Sequence, residues 1–147
     1  MPQTVSVGEL TDLVVRVFLR HGVSADNAGP VAETVVAAER DGAASHGLLR
    51  LPGYASTLKS GWVDGRAVPA VTDAAPGLVA TEAANGFSQP ALRASAPLLR
   101  KKARNQGISA VTIRNSHRAS QERTLRDVAL GLSVLTENQW IRIRIAA

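Results

Sequence analysis

Residues 78–116 read LVATEAANGFSQPALRASAPLLRKKARNQGISAVTIRNS, and this stretch decides the fold class. An apolar run at residues 78–82 predicts a short strand, and a β-branched run at residues 108–113 predicts a second one. Between them, residues 88–106 predict one long helix. The residues that predict this helix are Ser88 as its cap, Pro90 in its first turn, Leu92, Ala96, Leu99 and Ala103 along one side, and Gly107 at its end.

The part of the chain before this stretch predicts helices. Ser6, followed three residues later by Glu9, is typical of a capping box, and an apolar 3-4 spacing follows it. A second helix should begin at Ser24, and a third, shorter one should start near Pro52. We therefore expect an α+β fold, in which an N-terminal helical layer precedes a small mixed sheet with one long helix.

The chain divides into three regions on this interpretation. Residues 1–67 form the helical region, and residues 68–117 form a strand-helix-strand region that opens with a hairpin at a Pro-Gly turn. Residues 118–147 form a tail with a different pattern. Within the tail, residues 125–132 predict a short amphipathic helix, and residues 140–145 alternate like an exposed edge strand. Because exposed edge strands pair with other chains, we expect a homo-oligomer, with a homodimer as its simplest form.

Composition excludes several classes of function. The 147 residues include no cysteine, so neither a disulfide nor a thiolate metal site is expected, and no other metal-ligand spacing is present. The chain contains no long apolar segment and no secretory signal pattern, which favours a cytoplasmic protein that has no membrane partner. The net charge of +5 is spread along the chain apart from the cluster at residues 100–104, which we interpret as the solvated end of a helix rather than a nucleic-acid site.

The stretch DGAASHGLLRLPGY at residues 41–54 holds the first candidate site residues. The Arg50 guanidinium has the geometry that binds a carboxylate, and Ser45 and His46 can hydrogen-bond a substrate. A structural interpretation is equally open on these residues alone. Ser45 would then cap the following helix, His46 would be a surface side chain, and Arg50 would pair with Glu39 or Asp41.

Three blocks, in order and spacing, resemble the malate/L-lactate dehydrogenase family, which includes ureidoglycolate dehydrogenase and cyclic imino-acid reductases. The first is the family's D-S-H-G-x-x-R-L block, matched at residues 44–51 with Ala44 in place of the aspartate. The second is a relaxed D-x-x-x-G-x-G-Q block within residues 82–89. The third is R-N-S-x-H, matched at residues 114–117, with Arg118 where the family has its catalytic histidine.

The resemblance implies a non-Rossmann enzyme that uses NAD or NADP and acts on a small 2-hydroxy or 2-keto acid, or on a cyclic imino acid. It implies that Arg50 clamps the substrate carboxylate and that Ser45 and His46 bind and act on the reacting group. His117 is a substitute catalytic group if the loop shifts by one residue. Asn115 and Ser116 are the candidates for cofactor binding.

The resemblance ends near residue 117, so we expect a truncated version of the family fold. In the family, a strand-helix-strand region such as residues 68–117 begins the catalytic and cofactor-binding domain. Without the rest of that domain, we expect an inactive chain that binds the cofactor poorly. The alternative is a non-catalytic oligomerisation or interaction module, and a small basic nucleic-acid binder is the least favoured interpretation.

Overall fold

The computed structural model describes residues 4–117, 133–137 and 140–144. Within these residues the chain forms four α-helices, two short 3-10 turns and five strands. In chain order these are α1 (Val7–Arg20), α2 (Ala25–Arg40), the 3-10 turns Ala44–His46 and Leu48–Arg50, α3 (Leu51–Lys59), β1 (Ala70–Ala75), β2 (Leu78–Glu82), α4 (Ser88–Gln106), β3 (Ile108–Arg114), β4 (Ser133–Glu137) and β5 (Trp140–Arg144). The predicted amphipathic helix at residues 125–132 lies outside the described residues.

Helix α1 begins at the predicted capping box. The Ser6 hydroxyl accepts a hydrogen bond from the Glu9 amide at 3.2 Å, and the Glu9 carboxylate accepts one from the Ser6 amide at 2.8 Å. The hydrogen bonds from Ser6 hold the pKa of Glu9 below its ordinary value. The prediction of the first helix start is therefore confirmed, because its signals all lie within four residues of one another.

Helix α4 starts differently from the prediction. Ser88 is already the first helical residue and Phe87 is the N-cap, in an extended conformation with φ −71° and ψ 147°. The amide of Ser88 donates to the carbonyl of His117 at 3.2 Å. A backbone group from a distant segment thus satisfies one of the amides that a capping side chain would have bound. Gly107 ends the helix in the left-handed conformation, as predicted.

The described strands form one mixed sheet in the order β1-β2-β3-β5-β4. The predicted hairpin is present, since β1 and β2 pair antiparallel across Pro76 and Gly77. Strand β3 pairs parallel with β2, and α4 is the crossover between them. The prediction that residues 140–145 form an edge strand is wrong for the described strand β5, which pairs with β3 on one side and β4 on the other. Alternation along a strand does not reveal how many neighbours the strand has.

Two groups of buried side chains hold the layers together. The first lies among α1, α2 and α3, and its largest members are Phe18, Tyr54 and Phe87. Phe87 comes from the loop after β2, so this group also joins the helical layer to the sheet. The second group lies between α4 and the sheet, where Val79, Leu99 and Val111 are almost fully buried. Burial of such apolar area contributes ~25 cal/mol per Å² to folding.

Lys102 corrects the interpretation of the basic cluster as solvated. Its side chain is only 8% exposed, and its ammonium group donates to the Asp73 carboxylate at 2.5 Å and to the carbonyl of Ala75 at 2.6 Å. The charged head thus binds the end of β1 and the turn that follows it, while the rest of the side chain is buried. None of the helices in the described part of the chain is long and apolar enough to span a membrane.

Candidate active site

The S-H-G turn consists of Ser45 and His46, in the first 3-10 turn after α2, and Gly47, which connects this turn to the second one. Glu39, in the last turn of α2, accepts a hydrogen bond from the amide of Leu48 at 2.9 Å. A Cβ added to Gly47 would overlap the same carboxylate oxygen and would lie 3.1 Å from the Glu39 Cα. A side chain at Gly47 would displace the Glu39 carboxylate and crowd the Glu39 backbone, so the turn lies close against the end of α2. Ser45, His46 and Arg50 are all exposed on this turn.

The contacts do not support two parts of the structural interpretation, the helix cap at Ser45 and the ion pair of Arg50, whereas His46 is a surface side chain as that interpretation expects. Ser45 caps no helix, because the residue at the start of α3 is Arg50, without a side-chain capping bond. The Glu39 carboxylate binds Leu48, and the Asp41 carboxylate binds Arg40 at 3.1 Å. Among the described residues Arg50 forms no ion pair, so its guanidinium is available to a ligand.

The candidate site has two walls. The S-H-G turn and Arg50 form the first wall, and the second lies at the carboxyl ends of the parallel strands β2 and β3. The loops that follow these strands run side by side and exchange backbone hydrogen bonds. Ala83 and Asn85 donate to the carbonyls of Arg114 and Asn115 at 2.9 and 2.7 Å, and His117 donates to the carbonyl of Gly86 at 2.7 Å. The carboxyl edge of parallel strands is where α/β proteins bind ligands.

Backbone conformation is unusual in these two loops. Ala84, Asn85 and Asn115 have left-handed φ angles of 51°, 62° and 49°. Such conformations cost about 1–3 kcal/mol each in non-glycine residues and persist where the surroundings enforce them. The Asn85 side chain also donates to the carbonyl of Trp62 at 3.0 Å, which ties the loop to the segment after α3. These contacts enforce the path that leads to His117.

The protonation of His117 depends on Arg50. Partial burial, and after it the positive charge of Arg50, hold the pKa of the His117 imidazole below its ordinary value. The two groups therefore lie within electrostatic reach, although one belongs to the turn before α3 and the other follows β3. At neutral pH the imidazole is uncharged, so it can accept a hydrogen bond but is a weak proton donor.

Aromatic packing explains how the two walls meet. Tyr54 lies on α3 one turn beyond Arg50, and its ring centroid is 5.9 Å from that of Phe87 in an edge-on arrangement. Phe87 in turn lies 6.1 Å from the His117 ring, also edge-on. Edge-to-face pairs at these separations are favourable beyond their buried area. The chain of rings fixes α3, and with it Arg50, relative to the end of β3.

Of the other predicted site residues, Asn115 and Ser116 follow β3, whereas Ser45 and His46 lie on the S-H-G turn. Asn115 is exposed and Ser116 is half-buried, and neither side chain hydrogen-bonds to another described residue. Ser45 and His46 likewise make no side-chain hydrogen bond within the described residues. The Glu82 carboxylate of the second sequence block accepts a hydrogen bond from the Ala84 amide at 3.0 Å, so it stabilises the loop.

Sequence reasoning missed two residues that shape the site. The sequence suggested Glu39 only as a partner for Arg50, whereas its carboxylate anchors the turn that carries Arg50. Phe87 lies between two residues of the second block and has no role in that block, although its ring lies between Tyr54 and His117. No local signal identifies either role, because each depends on contacts between distant segments.

With the geometry established, comparison with known proteins identifies the family. The family model for malate/L-lactate dehydrogenase matches residues 5–123. The chain belongs to the malate/L-lactate dehydrogenase family. This confirms the family predicted from the three sequence blocks, and the α+β fold of that family agrees with the helical layer and mixed sheet described above.

Relatives within the family agree with this assignment. The Δ1-pyrroline-2-carboxylate/Δ1-piperideine-2-carboxylate reductase of Pseudomonas syringae pv. tomato is 51% identical over 115 residues, which cover 78% of this chain and 34% of the relative. The crystal structure of Δ1-piperideine-2-carboxylate reductase from P. syringae superposes with a TM-score of 0.81 at 49% identity, covering 82% of this chain and 36% of that one.

A more distant solved structure has the same fold. Malate dehydrogenase from Pyrococcus horikoshii has a TM-score of 0.71 at 32% identity, covering 80% of this chain and 34% of that chain. The chain thus spans about a third of the length of the curated relatives it matches. The family match does not favour the alternative of a non-catalytic interaction module.

Proposed function

We propose that this chain carries the acid-binding wall of a reductase that uses NAD or NADP and acts on small cyclic 2-imino acids rather than on 2-keto acids. The observation that supports this most directly is the Arg50 guanidinium, which has no ion-pair partner among the described residues and lies within electrostatic reach of His117. A guanidinium binds a carboxylate through two parallel hydrogen bonds and so orients the atom next to it. Pyrroline- and piperideine-2-carboxylates, the substrates in the relatives' names, carry a carboxylate beside the imine carbon.

The protonation chemistry of the site favours the imine. Reduction of a ketone produces an alkoxide, which needs a proton donor at the oxygen in the transition state. Because its pKa is lowered, His117 is mostly unprotonated at neutral pH and has little proton to give, and arginine, the residue at position 118, does not give up its proton there. The nitrogen of a cyclic imine is basic and can take its proton from water before the hydride arrives. An uncharged His117 also tolerates that cationic nitrogen and can accept its hydrogen bond.

The groups available to a nicotinamide are at the end of β3. The Asn115 amide and the Ser116 hydroxyl make no side-chain hydrogen bond within the described residues, and they fit the donors and acceptors of a carboxamide. When bound, the reduced cofactor supplies the hydride. Orientation of the acid by Arg50 and hydrogen bonding by Ser45, His46 and His117 are the contributions of this chain. A cytoplasmic location and assembly as a homodimer belong to the same proposal.

Binding of a planar, unreactive analogue tests the acid-binding wall. Pyrrole-2-carboxylate should quench or shift the fluorescence of the two tryptophans and move the His117 imidazole signal in an NMR titration. Arg50→Ala should weaken this binding by about tenfold or more, as expected for the loss of a charge-assisted bidentate contact. The matched control is Arg40→Ala, which removes an exposed arginine that pairs with Asp41. Equal binding by Arg50→Ala and the unaltered chain would refute the proposed role of Arg50.

Turnover is tested with the reduced cofactor and two substrates. We expect no reduction of pyruvate by this chain, because neither His117 nor Arg118 can supply the proton. Any activity should be confined to Δ1-piperideine-2-carboxylate, and Arg118→His should increase the ratio of ketone to imine reduction. Reduction of pyruvate at a rate that Arg50→Ala abolishes would show that a group other than His117 and Arg118 supplies the proton, and the proposal that this chain is inactive towards keto acids would fail.

A further inference from the structure

We propose that Glu39 is a positioning residue of this site, which holds the S-H-G turn so that Arg50 faces the end of β3. The inference rests on the proposed function for its substrate, and it adds a residue that acts through Arg50 rather than on the ligand. Glu39 itself is half-buried at the end of α2, and its carboxylate is directed towards the turn.

Close contact between Glu39 and the turn carries the inference. The carboxylate accepts the Leu48 amide at 2.9 Å, and it occupies the space where a Cβ on Gly47 would lie. One side chain therefore fixes both the position of Gly47 and the start of the second 3-10 turn. The amide of Arg50 donates to the carbonyl of Gly47 at 3.0 Å, so displacement of Gly47 is passed directly to Arg50.

Helix electrostatics indicate that Glu39 is not there to stabilise α2. The last turn of a helix carries partial negative charge on its free carbonyls, and an acidic side chain in that turn is unfavourable. Arg40, which follows it, is the favourable residue for this position. Glu39 is compensated by the hydrogen bond from Leu48, a charge-assisted contact that is stronger than a neutral one.

Two further contacts make the placement of Arg50 sensitive to this anchor. Arg50 is the last residue of the second 3-10 turn and also the N-cap of α3. Helix α3 is held in the core by Tyr54. The start of the Arg50 segment is therefore fixed by Glu39 and its end by the core, so loss of the anchor frees the S-H-G turn and the second 3-10 turn up to Arg50 itself.

The experiment compares Glu39→Ala, Glu39→Gln and Glu39→Asp with the control Glu33→Ala. The control removes an exposed carboxylate from the same helix, where it pairs with Arg93. The readouts are the pKa of His117 by NMR and the affinity for pyrrole-2-carboxylate. Removing the negative charge of Glu39 would by itself lower the pKa of His117, whereas movement of Arg50 away from the imidazole raises it.

The expected result is a raised His117 pKa in Glu39→Ala together with a loss of affinity of about tenfold. Glu39→Gln keeps an oxygen acceptor for Leu48, so it should keep the affinity close to that of the unaltered chain, and without the negative charge the His117 pKa should stay the same or fall rather than rise. Glu39→Asp keeps the charge but is one methylene shorter, so it should behave like Glu39→Ala. This variant provides the test if the alanine variant does not fold. Glu33→Ala should change neither property.

Outcomes for Glu39 and for the proposed function are separable. If Glu39→Ala or Glu39→Asp leaves both the His117 pKa and the affinity unchanged, Glu39 is a structural residue and the inference is overturned. If the unaltered chain does not bind the analogue, the proposed function fails, and the His117 pKa alone decides the role of Glu39. A raised pKa then supports the positioning role, and an unchanged one overturns it.

Discussion

Replacing Gly86 with alanine tests whether close backbone approach holds the two loops of the site together. Gly86 belongs to the loop after β2 and lies against the segment before β1. A Cβ at this position would lie 2.6 Å from the Ala67 Cβ and 2.9 Å from the Ala83 carbonyl oxygen. Neither neighbour is the flexible end of a long side chain, so the loop itself has to move.

The magnitude follows from these contacts. Overpacking at a buried position costs about 1–3 kcal/mol. Movement of Gly86 also weakens its hydrogen bond with the His117 amide, now 2.7 Å long, and a typical hydrogen bond contributes about 1 kcal/mol. Alanine also lowers the conformational entropy of the unfolded chain relative to glycine, which offsets ~0.4–1 kcal/mol of this loss in the free energy of unfolding. We expect a net loss of about 2–3 kcal/mol, which is a large fraction of the stability of a typical domain.

Urea unfolding, followed by tryptophan fluorescence, measures the effect. Gly53→Ala is the matched control, because Gly53 is an exposed residue inside α3 and a Cβ there has no neighbour within 4 Å. The control should stabilise the chain by about 0.5–1 kcal/mol, since alanine is the better helix former. Ala67→Gly, combined with Gly86→Ala, removes one of the two overlaps and should recover about 1 kcal/mol through coupling of the two sites.

Two results would refute this reasoning. A loss below about 0.5 kcal/mol for Gly86→Ala would place the substitution among ordinary surface changes. Additive effects of Gly86→Ala and Ala67→Gly would mean that the two residues are not in contact. In either case the close approach would not be what holds the His117 loop.

Three further predictions concern pH, a buried hydrogen bond and a buried lysine. Because burial and a neighbouring positive charge lower the pKa of His117, the unfolded chain binds its proton more readily, and stability should fall as pH drops below about 6.5. His117→Asn should reduce this slope in urea midpoints measured across that range, and an unchanged slope would contradict it. Ser95 donates its hydroxyl hydrogen to the Ala91 carbonyl at 2.7 Å, so the Thr81 hydroxyl must donate to Ser95. We expect Ser95→Ala, which loses both hydrogen bonds, to lower the free energy of unfolding by about 2 kcal/mol, and Thr81→Val, which loses one, by about 1 kcal/mol. The reverse order of the two losses would exclude this arrangement. Lys102→Met keeps the apolar stem but loses the contacts of the ammonium group, so it should lower the free energy of unfolding by about 1–2 kcal/mol. The control Lys101→Met replaces an exposed lysine and should change the free energy of unfolding by less than about 0.5 kcal/mol.

Much of the local structure could be predicted from the sequence. The capping box at Ser6, the turn at Pro76 and Gly77 and the left-handed end of α4 at Gly107 are all present in the structure. Each depends on the conformational preferences of a few neighbouring residues, which are the same wherever those residues occur. The order of three short blocks also identified the family, because order and spacing together are far more specific than any one block.

Wrong predictions share a different physical origin. Ser88 was expected to cap α4, but the His117 carbonyl binds its amide from the end of another strand. Lys102 was expected to be solvated, but the turn after β1 lies over it. Strand β5 was expected at an edge, but it pairs on both sides. In each case a partner distant in the chain determines the outcome.

The amino-acid sequence by itself thus determined the elements, the family and the residue types of the candidate site. Tertiary structure alone decided that Arg50 lies within electrostatic reach of His117, that Glu39 holds the turn beneath Arg50, and that Phe87 connects the two walls. The reason is that local conformation is set by short-range sterics and hydrogen bonds along the chain. The protonation state of His117 and the orientation of Arg50 are set instead by burial and charge, which exist only once distant segments have packed together.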